Sequence, residues 1–340
     1  MNGIIPHVSL FLRYPSKSRI GVDNAASGLK SLPPTVFLRQ WQPVTQQEMF
    51  GGSWTQQKLK VLSDYLREYR KIFDRNAKAR FFEVTYVDAF AGTGVIPRRQ
   101  SGFKSLFPDL EKLEEGFRKG SVRRALEIEP PFHHYVLIEK NKEKCEELEL
   151  LRKEFPDRDI EIINEDANVA LLKWCEELDT DRERAVVFLD PFGACVEWKV
   201  IKAIAATRAV DLWILFPYSA INRLLTSKRK PPKAWAELLK RIFGTTSWEE
   251  KFYTSTRWQN LLDPKKPVEI VSKTADYKDI TDFFVGRLES KFVAVAEPGF
   301  LRNSKGLLFV LFFAAGNPKG AGPGLNIANH LLSKMNQSSF

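Results

Sequence analysis

Apolar positions along the chain follow two periods. Leu59, Leu62, Leu66, Tyr69 and Phe73 recur at spacings of 3, 4, 3 and 4, which places them on one face of an amphipathic helix. Ser53 or Thr55 offers a side-chain oxygen for its N-cap. Further on, short apolar runs rich in β-branched residues take over. Phe82–Val87 runs into Asp88, Tyr135–Ile138 into Glu139, and Ile160–Ile163 leads to Glu165-Asp166. Ala185–Leu189 runs into Asp190 and Val210–Phe216 into Pro217. Such runs suit strands covered on both faces. Helical patterns over 121–129, 141–154, 167–177 and 196–206 fill the gaps, so the alternation predicts a parallel, doubly wound sheet.

The C-terminal part departs from this rhythm. A helix predicted over 278–290 precedes the run Phe292–Ala296, and Arg302-Asn303-Ser304-Lys305-Gly306 leads into Leu307–Phe313. Two strands joined by so short a polar link form a β-hairpin, so the last strand should run antiparallel. The expected fold is an α/β, Rossmann-like doubly wound sheet of about seven strands ending in an antiparallel hairpin, the layout of class I methyltransferases. Residues 1–50 have no sustained periodicity and read as an irregular arm. Residues 53–335 read as one domain with insertions at about 95–119 and 222–276.

Composition narrows the picture. The 340 residues are 44% hydrophobic, 28% charged and 12% aromatic, which excludes a disordered tail, a collagen-like repeat and a disulfide-bonded mini-protein. The net charge of +10 favours a polyanionic partner or substrate. Cys145, Cys175 and Cys195 are scattered with no C-x-x-C pairing, which suits a reducing compartment. His133 and His134 are adjacent, and His7 and His330 lie near the ends, so no metal site is expected. The apolar start Val8–Leu12 is too short for a signal-peptide core. No run approaches the roughly 20 apolar residues of a membrane span, so a cytoplasmic protein without a membrane partner is expected.

Candidate chemistry sits where strands end. Asp88-Ala89-Phe90-Ala91-Gly92-Thr93-Gly94 follows the first strand directly. Glycines there let the backbone turn tightly and come close to a cofactor. A nicotinamide enzyme would carry a third glycine three positions on, where Pro97 stands. The order D-x-F-x-G-x-G instead resembles the first motif of S-adenosylmethionine (SAM) methyltransferases. Glu139, ending the second strand, can accept two hydrogen bonds from a ribose diol. Asp166 follows the third strand, where in such enzymes it accepts from the adenine amino group. Each acid also has a structural reading as a helix cap. Asp190-Pro191-Phe192-Gly193 follows the fourth strand, where an acceptor, a prolyl carbonyl and an aromatic ring can hold a base and its amino group. It resembles the D-P-P-Y/F loop of amino-group methyltransferases, and still more the D-P-F-G of tRNA guanosine-N2 dimethyltransferases; the missing second proline counts against adenine. Structurally, Asp190 could cap the next helix and Phe192 fill the core. Tyr218, Asn222 and Arg223 follow the fifth strand, and Arg302 and Lys305 stand in the hairpin turn. All five fall on the same edge if the topology holds. Lys228, Arg229, Lys230 and Lys233, interleaved with Trp235, would suit a phosphate backbone with stacked bases.

The assembly resembles the three-Cys-motif partner (TcmP) family of bacteria and phages. The likeness rests on Tyr86–Gly94, Gly120-Ser121-Val122-Arg123, Ile138-Glu139-Lys140, Asp166-Ala167-Asn168, Phe188–Gly193, Phe216-Pro217 with Ile221-Asn222-Arg223, and Leu301–Lys305. It implies a methyltransferase-like fold and association with a separate, radical-SAM-like protein that bears the three-cysteine motif. From these readings, Asp88, Phe90, Gly92, Gly94, Glu139 and Asp166 are expected to hold SAM. Asp190, Pro191 and Phe192 are expected to orient an acceptor nitrogen of nucleic acid, and Tyr218, Asn222, Arg223, Arg302 and Lys305 to contact that substrate. The rival expectation is a methyltransferase-like scaffold that binds its three-Cys-motif partner without turnover.

Overall fold

The computed structural model describes residues 53–92, 120–191, 196–258, 268–304 and 306–337. The N-terminal arm, Gly94, the 95–119 insertion, Phe192 and Lys305 lie outside them. Five parallel strands form the centre of the sheet: β1 (Glu83–Asp88), β2 (His134–Ile138), β3 (Ile160–Ile163), β4 (Glu183–Leu189) and β5 (Val210–Phe216). They lie in the order β3-β2-β1-β4-β5. The chain then makes β6 (Tyr253–Trp258), β7 (Val268–Lys273), β8 (Ala294–Val295), β9 (Gly299–Asn303) and β10 (Gly306–Ala315). β10 pairs antiparallel with β5 and carries β8 and β9 on its outer edge. This is the doubly wound sheet with a terminal hairpin that the apolar pattern predicts.

Helices cover both faces. On one lie α1 (Ser53–Arg75), α2 (120–126), α3 (Lys142–Glu154) and the last helix, α10 (Ala321–Gln337). On the other lie α4 (Ala167–Glu177), α5 (Trp198–Thr207), α6 (Tyr218–Leu224), α7 (Lys233–Phe243), α8 (Trp248–Phe252) and α9 (Tyr277–Glu289). Alternation along β5 divides the core: Trp213 and Leu215 face α1, while Leu212, Ile214 and Phe216 face α9. Every residue of β5 is buried, as a central strand under two helical layers must be. No described helix is long and apolar enough to cross a membrane.

Three features differ from the sequence expectation. The sixth strand is broken: β8 holds only Ala294–Val295, and pairing resumes at Gly299. Pro298 lies in the gap, and a proline lacks the N–H that a ladder needs. Arg302 and Asn303 belong to β9 rather than to the turn, and β10 begins at Gly306 with φ 135°. Ser53 and Thr55 both lie inside α1, which begins at Ser53, rather than before it. The helix α10 starts in Ala321-Gly322-Pro323-Gly324. Pro323 is tolerated there because first-turn N–H groups have no intrahelical partner. Within 222–276 the chain builds α7, α8 and a separate two-stranded sheet, β6 with β7.

Candidate active site

The C-terminal ends of β1 to β5 share one rim, and Val310 of β10 pairs with Phe216 there, so the hairpin turn projects from the same side. Asp88, Gly92, Glu139, Asp166, Asp190, Pro191 and Tyr218 all stand at that rim.

Asp88, the last residue of β1, is fully buried. Its Oδ2 accepts from Tyr86 Oη at 3.2 Å and from Ser121 Oγ at 2.9 Å. Its Oδ1 accepts from the Phe90 N–H at 3.2 Å. Burial pushes its carboxyl up to about 6 despite these bonds. Both oxygens are therefore used inside the protein. Asp88 shapes the turn through Phe90 and ties it to the start of α2 rather than presenting a bare carboxylate. Phe90 is half-buried, and the turn is fastened to β2 by Ala91 N–H to Ile138 O, 3.1 Å.

Glu139 follows β2 and is 9% exposed. Its Oε1 accepts from the Asn141 N–H at 2.8 Å, while a Cβ at position 92 would come within 2.2 Å of its Oε2. Gly92 is thus required by the approach of the carboxylate over the turn, a cradle that any side chain would fill. Asn141 is the N-cap of α3, so Glu139 is not spent as a cap. Asp166 is: its side chain accepts from the Asn168 N–H at 3.0 Å as N-cap of α4. Lys140 Nζ lies 3.1 Å from it. Partial burial pulls its carboxyl upward, but the bonds from Lys140 and Asn168 outweigh that and hold it below the usual value.

Asp190 stands directly after β4, 1% exposed. It does not cap α5, whose N-cap position is Glu197. Its Oδ2 lies 3.4 Å from Lys58 Nζ, with the two side chains 2% and 0% exposed. Its Oδ1 is buried without a hydrogen-bond partner among the described residues. Lys58 comes from α1 and also lies over the Phe309 ring, 5.5 Å from its centroid. Sequence reasoning passed over Lys58. One signal was available: it falls four and seven positions before Leu62 and Tyr65, which puts a lysine on the apolar stripe of the helix. Beneath the loop, Pro191, Val196, Ile214, Phe216 and Pro217 line a small apolar pocket.

The predicted substrate residues divide. Tyr218 opens α6 and is largely buried, and burial pushes its phenol up. Asn222 is occupied, its Oδ1 accepting from Lys273 Nζ of β7. Arg223 is exposed. Arg302 lies over Tyr277 at 5.1 Å and over Phe300 at 5.9 Å, and those rings are perpendicular with centroids 5.9 Å apart. Tyr277 is 40% exposed, so a guanidinium and an open aromatic face adjoin beside the rim. Within the basic run, Lys230 is paired with Glu249 at 3.0 Å. Among the described residues no group of three or more His, Cys, Asp or Glu could hold a metal.

Together the rim offers a carboxylate above a glycine turn, a buried carboxylate with one open oxygen, and an arginine–aromatic platform. No family model and no curated protein matches the chain. Among solved structures, it is similar to protein LPL1258 from Legionella pneumophila: 12% identity over 74% of this chain and 96% of the other, TM-score 0.33. It is also similar to an S-adenosylmethionine-dependent methyltransferase from Clostridium acetobutylicum: 11% identity over 76% of this chain and 92% of the other, TM-score 0.32. The fold is established by the strand order and register, not by likenesses this distant.

Proposed function

We propose that the protein is a SAM-dependent methyltransferase that modifies an exocyclic amino group of a base in nucleic acid. The observation that carries this reading is the open Oδ1 of Asp190. A buried acceptor without a donor costs stability, and at the end of β4 it lies where ligands of doubly wound sheets bind. An amino group is the matching donor. Its hydrogen bond to Oδ1 would turn the nitrogen lone pair toward the methyl carbon.

The Glu139 carboxylate, lying over the Gly92 turn, would act as acceptor for the ribose diol of SAM. Bound there, SAM supplies a sulfonium methyl group. Transfer of that methyl to the amino nitrogen would break the sulfur–methyl bond, release S-adenosylhomocysteine and lose one amino proton to solvent. Holding two reactants in line is the main contribution this chain can make, since methyl transfer needs little acid–base assistance. The platform of Arg302, Tyr277 and Phe300 would stack a neighbouring base, and the net charge of +10 would draw the phosphate backbone.

Calorimetric titration with S-adenosylhomocysteine tests the cofactor half. Micromolar binding is expected, with a large loss in Glu139→Ala. RNA and DNA are then screened as methyl acceptors. No heat from a protein shown to be folded would overturn the reading and favour a scaffold for a three-Cys-motif partner.

A further inference from the structure

Lys58 belongs to α1, outside the strand ends and loops that carry the rest of the rim, yet its ammonium reaches the centre of the rim. We infer that Lys58 is a positioning residue for the acceptor-holding carboxylate: it anchors Asp190 through Oδ2 and thereby keeps Oδ1 aimed at the amino group. The inference rests on the methyltransferase reading above.

Three observations carry it. The lysine is buried along its whole side chain, 0% exposed, and packs its ammonium between the Asp190 carboxylate and the Phe309 ring. A core position on this stripe has no need of a charge, because Leu59, Leu62 and Leu66 fill their positions with apolar side chains. A buried ion pair is seldom better for stability than an apolar pair of similar volume, so stability alone does not account for it. Finally, the contact is made to one oxygen only. An arginine fork would bridge both carboxylate oxygens and use up Oδ1, whereas an ammonium acts as a point charge. The lysine therefore compensates the carboxylate while leaving its second oxygen to the substrate.

The test is a double-mutant cycle of Lys58→Met and Asp190→Asn, read in turnover, in S-adenosylhomocysteine binding and in urea unfolding. Lys58→Met should bind S-adenosylhomocysteine as the wild type does, yet lose roughly tenfold or more in kcat. The double variant should be no slower than Asp190→Asn alone, because the lysine acts through the aspartate. Lys58→Met should also lower the urea midpoint, and adding Asp190→Asn should restore most of it. If the double variant alone folds, its recovery from an unfolded Lys58→Met already supports the pairing. Unchanged kcat in Lys58→Met, or turnover losses that multiply in the double variant, would overturn the inference. If the wild type binds no S-adenosylhomocysteine, the methyltransferase reading fails by itself. The urea cycle then still decides the pairing, since independent losses would show that Lys58 does not anchor Asp190.

Discussion

The first long helix places a side chain on two buried aspartates at opposite ends of one sheet, and the two sites differ in kind. Near the start of β5, Asp211 accepts from Tyr65 Oη at 3.0 Å on Oδ2 and from the Gly316 N–H at 3.3 Å on Oδ1. Both donors are neutral and both oxygens are satisfied. Gly324 of α10 packs against the same pair, leaving a Cβ only 3.1 Å from Asp211 Oδ2, so the cluster locks α1, β5 and α10 together. After β4, Asp190 has a cation on one oxygen and nothing on the other among the described residues. Burial of a carboxylate is common to a structural lock and a reactive site. Incomplete satisfaction is what separates them.

The sharpest way to break this contrast is to remove each carboxylate. Asp190→Asn should cut methyl transfer by about 100-fold, the scale of losing one aligned polar contact to the reacting group, with S-adenosylhomocysteine binding retained. Asp211→Ala should leave turnover per folded molecule intact but cost about 2 kcal/mol, because the Tyr65 hydroxyl loses its acceptor, whereas the Gly316 N–H keeps the Val210 carbonyl at 3.0 Å. Turnover assays paired with urea titrations read both, and an exchange of the two phenotypes would end the comparison.

A second test uses pH. Burial pushes the Asp211 carboxyl from its ordinary 3.8 up to about 7. Between those values the folded state holds a proton that the unfolded chain has released. Stability contributed by this site is therefore full at low pH, falls as pH rises through the window and is level above it. The loss amounts to at most about 4 kcal/mol. Asp88, raised to about 6, acts in the same direction over a narrower range. Across this window the urea midpoint of the wild type should fall relative to that of Asp211→Asn, which has no such group to titrate. A wild type that gains stability relative to Asp211→Asn as pH rises would contradict the assignment.

The smallest effect sharpens the rim itself. Asp166→Ala should cost about 1 kcal/mol through loss of the cap on α4. A pure cap leaves S-adenosylhomocysteine affinity unchanged, whereas a carboxylate that also contacts adenine lowers it, and calorimetry separates the two.

Much of this was legible without coordinates. The runs ending at Val87, Ile138, Leu189 and Phe216 matched the strands to within one or two residues at each end, because strands covered on both faces are predominantly apolar. The acids at those strand ends reached the rim for the same reason. Legibility failed where chemistry depends on contacts distant in sequence. Asp88 looked like a ligand and is consumed by Tyr86, Ser121 and Phe90. Asn222 looked like a substrate contact and is held by Lys273, 51 residues away.

The sequence by itself determined the sheet, its terminal hairpin and the edge where candidate acids gather, since these follow from periodicities that act over a few residues. Only the tertiary structure decided which acids remain open. Lys58 and Asp190 are 132 positions apart, and no local pattern reports that a helix crossing the sheet brings an ammonium to one carboxylate oxygen and leaves the other without a donor among the described residues.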